Sequence, residues 1–129
     1  MPKPKPAEER AMEKLYREYN FMLLRLVILQ PRMTAILSDM PKIKMNDSKI
    51  EKLAIERTEL SRRKEFVQRC YACMTKDEKY FIRRRYYDND CPMKVLAQEM
   101  GYDIHDLYRL RESVIAKTVR RAKKEGFKL

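Results

Sequence analysis

The chain has 129 residues, and its 30 lysines and arginines against 19 aspartates and glutamates give a formal net charge of +11. Hydrophobic residues make up 44% of it, which is enough for a modest core and argues against wholesale disorder. Only two glycines and no tryptophan are present, which argues against a turn-rich β fold, whereas abundant Leu, Met, Glu, Lys and Arg favour helices. The positive charge suits a polyanionic partner such as nucleic acid, and the alternative is a basic surface without a dedicated ligand.

The N-terminus alternates proline and lysine in the segment PKPKP, and residues 1–6 are predicted to form a disordered basic arm. No apolar segment follows these lysines, so the arm is not predicted to be a signal peptide. No run approaches the roughly 20 apolar residues of a membrane span. With an odd number of cysteines as well, the sequence predicts a reduced, cytoplasmic protein with no membrane partner.

Two long helices are predicted over residues 7–74. Apolar residues at helical spacing place the first over 7–29, and the proline at position 31 is expected to end it near Gln30. Residues 38–48 are predicted to form a linker, because they are rich in loop-forming and helix-capping residues. We expect the segment 7–74 to form an antiparallel helical hairpin that also serves oligomerisation, with a dimer favoured.

The second of these helices is predicted to begin after Asp47 or Ser48, because Ser48 and Glu51 match a capping box. Its seam is apolar with two basic interruptions. The seam positions are Ile50, Leu53, Arg57, Leu60, Lys64, Val67, Tyr71 and Met74.

Three shorter segments follow in residues 75–129. Thr75 and Glu78 match a second capping box, which predicts a helix over 76–87 with Phe81, Ile82 and Tyr86 toward a core. Residues 88–92 read as a turn, and a helix over 92–100 follows with Pro92 at its first position. A last helix is predicted over 104–124, capped by Asp103.

The last two helices have the spacing of a helix-turn-helix. Ala97 is small where the helices approach, Gly101 suits the left-handed turn after a helix, and Leu107 and Leu110 return the second helix to the core. Val95, Leu96 and Met100 complete the apolar face of the first helix. The sequence therefore predicts an all-α protein in which an N-terminal hairpin precedes a C-terminal three-helix DNA-binding module.

The outward face of the last helix supplies the candidate base-reading residues, because the second helix of such a motif enters the major groove. An arginine there can read guanine through its bidentate fork, and an isoleucine can contact a thymine methyl group. The alternative is an ordinary solvated helix face. The candidate base contacts are Ile104, His105, Tyr108, Arg109 and Glu112.

Basic residues around the motif are the candidate phosphate contacts. Three consecutive arginines fan around their helix at about 100° steps, so only one or two of them can face DNA. The basic end of the last helix either lies on the DNA backbone or complements the helix dipole. The candidate backbone contacts are Arg83, Arg84, Lys94, Arg111, Lys117, Arg120 and Arg121, with Arg85, Lys123 and Lys124 beside them.

With FIRRRYY before its turn and VLAQEMG after it, the segment 75–124 is similar to region 4 of bacterial sigma factors. Together with DMPK at 39–42 and KIEKLAIERTEL at 49–60, the segment 35–124 resembles the RinA/ArpU-type transcriptional regulators of bacteriophages and prophages. This resemblance implies an activator of late or packaging genes that binds a promoter region with host RNA polymerase as a further partner. The segment CYAC and the acidic turn DND depart from the pattern and leave the target sequence open.

Metal and enzyme chemistry are not expected. Cys70 and Cys73 have CxxC spacing, and Cys91 with His105 would complete a zinc site, but the pair lies in a predicted helix, so reduced and mostly buried thiols are expected instead. No nucleophile–base pair or phosphate loop is visible, so no enzyme activity, cofactor or metal is predicted.

Two rival functions remain for the same sequence. One is the DNA-recognition subunit of a phage packaging machine, similar to a small terminase. The other is a protein-interaction module that docks on RNA polymerase without reading DNA. The favoured prediction is a sequence-specific transcriptional regulator that binds double-stranded DNA, because the DNA module stands last in the chain.

Overall fold

The computed structural model describes residues 5–38, 47–88 and 90–127, and these residues form helices and turns without any strand. The predicted all-α class is confirmed. None of the described helices combines the length and the apolar character that crossing a membrane requires. In chain order the helices are α1 (Pro6–Arg17), α2 (Tyr19–Ser38), α3 (Asp47–Ala72), α4 (Lys76–Ile82), α5 (Met93–Met100) and α6 (Ile104–Glu125), and α4 continues into a π-helical turn, Arg83–Tyr87.

The helices divide into two compact units. The described residues up to Glu18 and those from Val67 onward form the first unit, and Tyr19–Phe66 forms the second. The division predicted at residue 74 is therefore corrected, since α1 belongs with the C-terminal helices. The first six-residue arm lies almost wholly outside the described residues, which begin at Lys5.

Helix α1 joins the first unit through one apolar face. Its start is defined by Pro6 at the first position and by Glu8, whose side chain accepts a hydrogen bond of 3.3 Å from the Lys5 N–H. Met12, Leu15 and Tyr16 recur at helical spacing and are all buried. The helix therefore forms because its local signals and its apolar stripe agree.

Buried polar groups fix α1 against α6. The Thr118 hydroxyl donates to the Val114 carbonyl at 2.9 Å, so the Tyr16 hydroxyl, 2.6 Å from Thr118 Oγ1, is the donor of that second bond. The buried Glu13 accepts from the Tyr86 hydroxyl at 3.1 Å and is paired with Arg111. Each bond satisfies a group whose desolvation would otherwise destabilise the fold.

The first predicted helix is two helices in the structure. The chain leaves the helix at Glu18, where ψ is −3°, and resumes it at Tyr19. A break of a single residue leaves the apolar periodicity almost unchanged, so the pattern did not reveal it. The prediction that proline ends the helix near Gln30 was also wrong, because α2 continues to Ser38.

Helix α3 begins at Asp47, so the predicted start after Asp47 or Ser48 is one or two residues late, and Ser48 lies inside the first turn. Most of the predicted linker, at residues 39–46, lies outside the described residues. Of the predicted seam, Val67 is fully buried, whereas Ile50, Leu53 and Leu60 are half-buried.

The second predicted capping box is confirmed. The Glu78 N–H donates to Thr75 Oγ1 at 3.2 Å, and the Thr75 N–H donates to Glu78 Oε1 at 2.9 Å. The other Glu78 oxygen accepts from Lys117 Nζ at 3.0 Å, which ties the start of α4 to α6. Burial raises the pKa of Glu78, but these hydrogen bonds outweigh it and leave the pKa below its ordinary value.

Aromatic packing completes the core of the first unit. Phe81, Ile82 and Tyr86 are buried, as predicted. The Tyr86 ring stacks on Tyr16 and meets Phe81 edge-on, with centroids 5.9 Å apart in both pairs. Because the segment Arg83–Tyr87 is π-helical, the Asp88 N–H donates to the Arg83 carbonyl at 2.8 Å, and the turn after α4 starts from this bond.

The lowered pKa of Glu78 predicts acid sensitivity. Its ionised form stabilises the fold above the ordinary pKa of 4.5, and that stability is lost as the pH falls through the lower folded-state value. We expect Glu78→Gln to lower the free energy of unfolding by about 1–3 kcal/mol at pH 7 and to flatten its decline between pH 7 and pH 3. Urea titrations across this range measure both effects.

The control for this variant is Glu112→Gln, since Glu112 is exposed on α6 of the same unit. It should leave the free energy of unfolding within about 0.5 kcal/mol of the wild type. A Glu78→Gln protein with wild-type stability at pH 7 and a wild-type pH profile would contradict the role assigned to Glu78.

Candidate nucleic-acid interface

Helices α5 and α6 are joined by a tight turn whose geometry depends on one glycine. Gly101 has φ +69°, in the left-handed region, as predicted. The Tyr102 N–H donates to the Ala97 carbonyl at 2.9 Å, which closes the end of α5. Asp103 then caps α6, and its carboxylate accepts from the His105 N–H at 3.3 Å. Pro92, predicted inside α5, is instead its N-cap residue.

The turn is also held from outside the two helices. The Tyr102 hydroxyl donates to Asp77 Oδ2 at 2.5 Å, which connects the turn to the first turn of α4. The sequence analysis missed this contact, because residues 77 and 102 come together only in the folded unit. The start of α6 is therefore fixed by a glycine, a cap and a bond to α4.

One side of α6 is anchored in the core. Leu107 is fully buried and Val114 is 1% exposed, as predicted. Leu110 is only half-buried, so its predicted core position is corrected. On α5, Leu96 and Ala97 are buried, whereas Val95 is exposed and Met100 half-buried, because so short a helix buries one narrow stripe.

The opposite side of α6 carries the candidate base-reading residues. Four of the five are exposed, and Ile104 is half-buried. The Arg109 side chain is 81% exposed, and its Nη1 lies 3.6 Å from the exposed Asp106 carboxylate, a weak pair at this exposure. The structure therefore brings these side chains to one accessible surface, the α6 outer face, defined here as Ile104, His105, Tyr108, Arg109 and Glu112.

The three consecutive arginines have three different environments, in accord with the helical fan. Arg83 is exposed. Arg84 donates through Nε and Nη2 to the two Glu99 oxygens at 3.1 and 2.8 Å, and this carboxylate raises the pKa of Arg84 above its ordinary value. Arg85 donates to the Cys91 carbonyl at 3.0 Å, inside the fold.

The other candidate backbone contacts fall into two groups. Lys94 and Arg120 are exposed, and in the described part of the chain neither has a carboxylate partner within ion-pair distance. Arg111 and Lys117 instead pair with the buried Glu13 and Glu78. For Arg111 this pair is itself part-buried, which makes it a structural interaction first.

Helix α3 adds a residue to the basic end of α6 that the sequence analysis missed. Arg69 and Arg121 both bind Glu125, at 2.7 and 2.8 Å, and Arg121 also donates to Cys73 Sγ at 3.3 Å. No sequence signal connects positions 69 and 121, because only the fold brings α3 beside α6. An open basic cleft of about 600 Å³ results, lined by Arg69, Lys117, Arg120, Arg121, Lys124 and Glu125.

The three cysteines are free thiols in the structure. Cys70 and Cys91 are buried and Cys73 is exposed. Burial raises the pKa of Cys70 to about 11. Among the described residues, no group of three or more His, Cys, Asp or Glu side chains is arranged to hold a metal ion.

Comparison of the chain with family models, with curated proteins and with solved structures gives no match. The resemblance to phage regulators therefore stays a prediction. The function is inferred from the geometry and charge of the α6 outer face and its surroundings.

The turn predicts a matched pair of substitutions at Gly101. A Cβ there would meet nothing within 4 Å, so Gly101→Ala strains the backbone without creating a clash. We expect it to lower the free energy of unfolding by about 1–2 kcal/mol. Gly101→Asn should cost less, because asparagine tolerates the left-handed region. Thermal and urea unfolding of the two variants measure the difference, and equal losses would contradict a purely conformational requirement.

Proposed function

We propose that the chain is a sequence-specific DNA-binding regulator of transcription, which inserts the N-terminal half of α6 into the major groove. The observation that carries this proposal is the two-sided character of α6. Leu107 and Val114 fix its inner side in the core, while His105, Tyr108 and Arg109 project from its outer side. Side chains on a rigid, buried helix hold their geometry better than side chains on a loop.

The dimensions of α6 suit this role. An α-helix with its side chains is about 10–12 Å across, and the major groove is about 12 Å wide. The 22 residues of α6 extend about 33 Å, so its first turns can lie in the groove while its last turns reach the phosphates beyond. Arg109, on the second turn, is the strongest candidate for a bidentate contact with guanine.

The charges on the α6 outer face and beside it favour base reading over general attraction to phosphate. Asp106 and Glu112 are exposed close to Arg109. Carboxylates there repel the phosphate backbone, so this face gains little from nonspecific binding. A glutamate can, in contrast, accept a hydrogen bond from the amino group of cytosine.

Phosphate contacts are assigned first to Arg83, Lys94 and Arg120, which are exposed and have no carboxylate within ion-pair distance among the residues that the structure describes. Arg84, Lys117 and Arg121 each hold such a partner, so their use by DNA would break an existing ion pair. The pair between Arg111 and Glu13 holds α1 to α6. We therefore expect Arg111 to support the interface from behind.

The finer biological assignment rests on the resemblance alone. We propose on this basis a phage or prophage activator that binds a promoter of late or packaging genes, with host RNA polymerase as a second partner. A packaging subunit would bind DNA through the same face, and its binding site would lie beside a packaging gene. A module that only docks on polymerase would show no preferred DNA sequence.

Arg109→Ala is the direct test of base reading. With a DNA site selected by the wild-type protein, we expect the variant to bind about 5- to 150-fold more weakly, a loss of about 1–3 kcal/mol. Its preference should relax at one base pair. Fluorescence anisotropy on the selected site and on its single-base variants measures both changes.

Two arginine variants serve as matched controls. Arg120→Ala should weaken binding to every sequence alike and reduce the salt dependence by about one counterion. Arg10→Ala, on the exposed side of α1, should leave DNA binding unchanged. An Arg109→Ala protein that weakens equally on all sequences would refute base reading by this residue.

A further inference from the structure

Helix α2 has a second apolar face that no described residue of its own unit covers. Met22 and Leu29 are buried on one side of the helix. Phe21, Leu24, Val27 and Ile28 are 67%, 58%, 67% and 42% exposed. At 3.6 residues per turn these four side chains fall within an arc of about 120° on the far side from Met22 and Leu29. They are called the α2 apolar face below.

Among the side chains that the structure describes, those of the unit Tyr19–Phe66 include more exposed large apolar residues than buried ones. Met22, Leu29 and Phe66 are its buried apolar side chains among those that the structure describes, and Ile55 of α3 is exposed to 57% in addition to the α2 apolar face. A helix that is apolar on all sides belongs in an interior. The 48 residues of the unit are close to the limit of about 40 below which a unit usually needs added stabilisation such as oligomerisation.

The charge on α2 limits what the partner can be. Arg25 is the one charged residue in the sequence 19–29. It donates to both Glu56 oxygens, at 2.7 and 3.3 Å, so its charge is already matched within the unit. A peripheral membrane helix needs a basic polar face, which α2 lacks in this stretch. An acidic or basic partner would likewise find no complementary charge there.

From these observations we infer that the α2 apolar face binds the same face of a second copy of this chain. A two-fold axis across the face brings neutral aliphatic and aromatic side chains against identical ones, so the surface is complementary to itself. Joined in this way, the α2 and α3 helices of two copies would supply the four helices of a bundle core. The inference does not rest on DNA binding, but it would give such a dimer two DNA-reading helices for two half-sites.

The apolar area is large enough for the centre of such an interface. At roughly 150 Å² for a full apolar side chain, the exposed fractions of the α2 apolar face leave about 350 Å² per copy. Two copies together would bury about 700 Å² of apolar surface. A stable interface buries about 1,200–2,000 Å² in total, with an apolar centre and a polar rim, so flanking polar residues supply the remainder.

Analytical ultracentrifugation of the full chain tests this inference with two matched variants. The wild type should sediment as twice the 15.7 kDa chain, with a monomer appearing on dilution. Val27→Glu should be monomeric at concentrations at which the wild type is dimeric. Val95→Glu places the same change at an exposed valine of α5, in the other unit, and should stay dimeric.

Leu24→Lys provides a second, independent variant, and it should also give a monomer. Because Leu24 and Val27 are both exposed, each variant should keep the wild-type helix content by circular dichroism. A wild type that is monomeric at every concentration would overturn the inference and leave the face to a different protein. A dimer that survives both Val27→Glu and Leu24→Lys would overturn it as well, since another surface would then hold the two copies together.

Discussion

The first unit depends on the burial of one side of α6. Leu107, Val114, Ile115 and Val119 are all buried along three turns and more of that helix, and α1, α4 and α5 pack against it. Burial of a side chain of this size contributes about 1.5–3 kcal/mol, so this stripe is a large share of the driving force. Buried polar contacts with Thr118 and Arg111 then determine how α1 docks. Because the buried inner side prevents α6 from rotating about its axis, the opposite side of the helix stays accessible to solvent.

Much of the fold could be predicted from local signals. Thr75, Gly101 and Asp103 each stand where their chemistry requires a helix to begin or end, and all three have the predicted role. No comparable local sequence signal indicates that the helix breaks at Glu18 or that α2 continues beyond the proline at position 31. The packing of α1 against α6 could not be predicted from the sequence either, because it joins residues about a hundred positions apart.

The candidate site could likewise be predicted only in part. Helical periodicity was sufficient to predict that Tyr108 and Arg109 face outward, since α6 is long and strongly two-sided. It was not sufficient to predict which basic residues are engaged inside the protein. Arg84, Lys117 and Arg121 pair with carboxylates of other helices or other turns, and Arg69 joins them only through the fold. The total of 30 lysines and arginines therefore overstates the number of cations that are ready to meet a phosphate.

The central claim, sequence-specific DNA binding, is tested most directly by selection from host and phage genomic fragments at near-physiological salt. The purified full chain is incubated with the fragments, and those that stay bound are sequenced. The account predicts enrichment of one short sequence motif, upstream of a block of genes if the protein is a transcriptional regulator. Retention of all fragments alike, fading uniformly as the salt concentration rises, would contradict it, because the positive charge alone would then explain the binding.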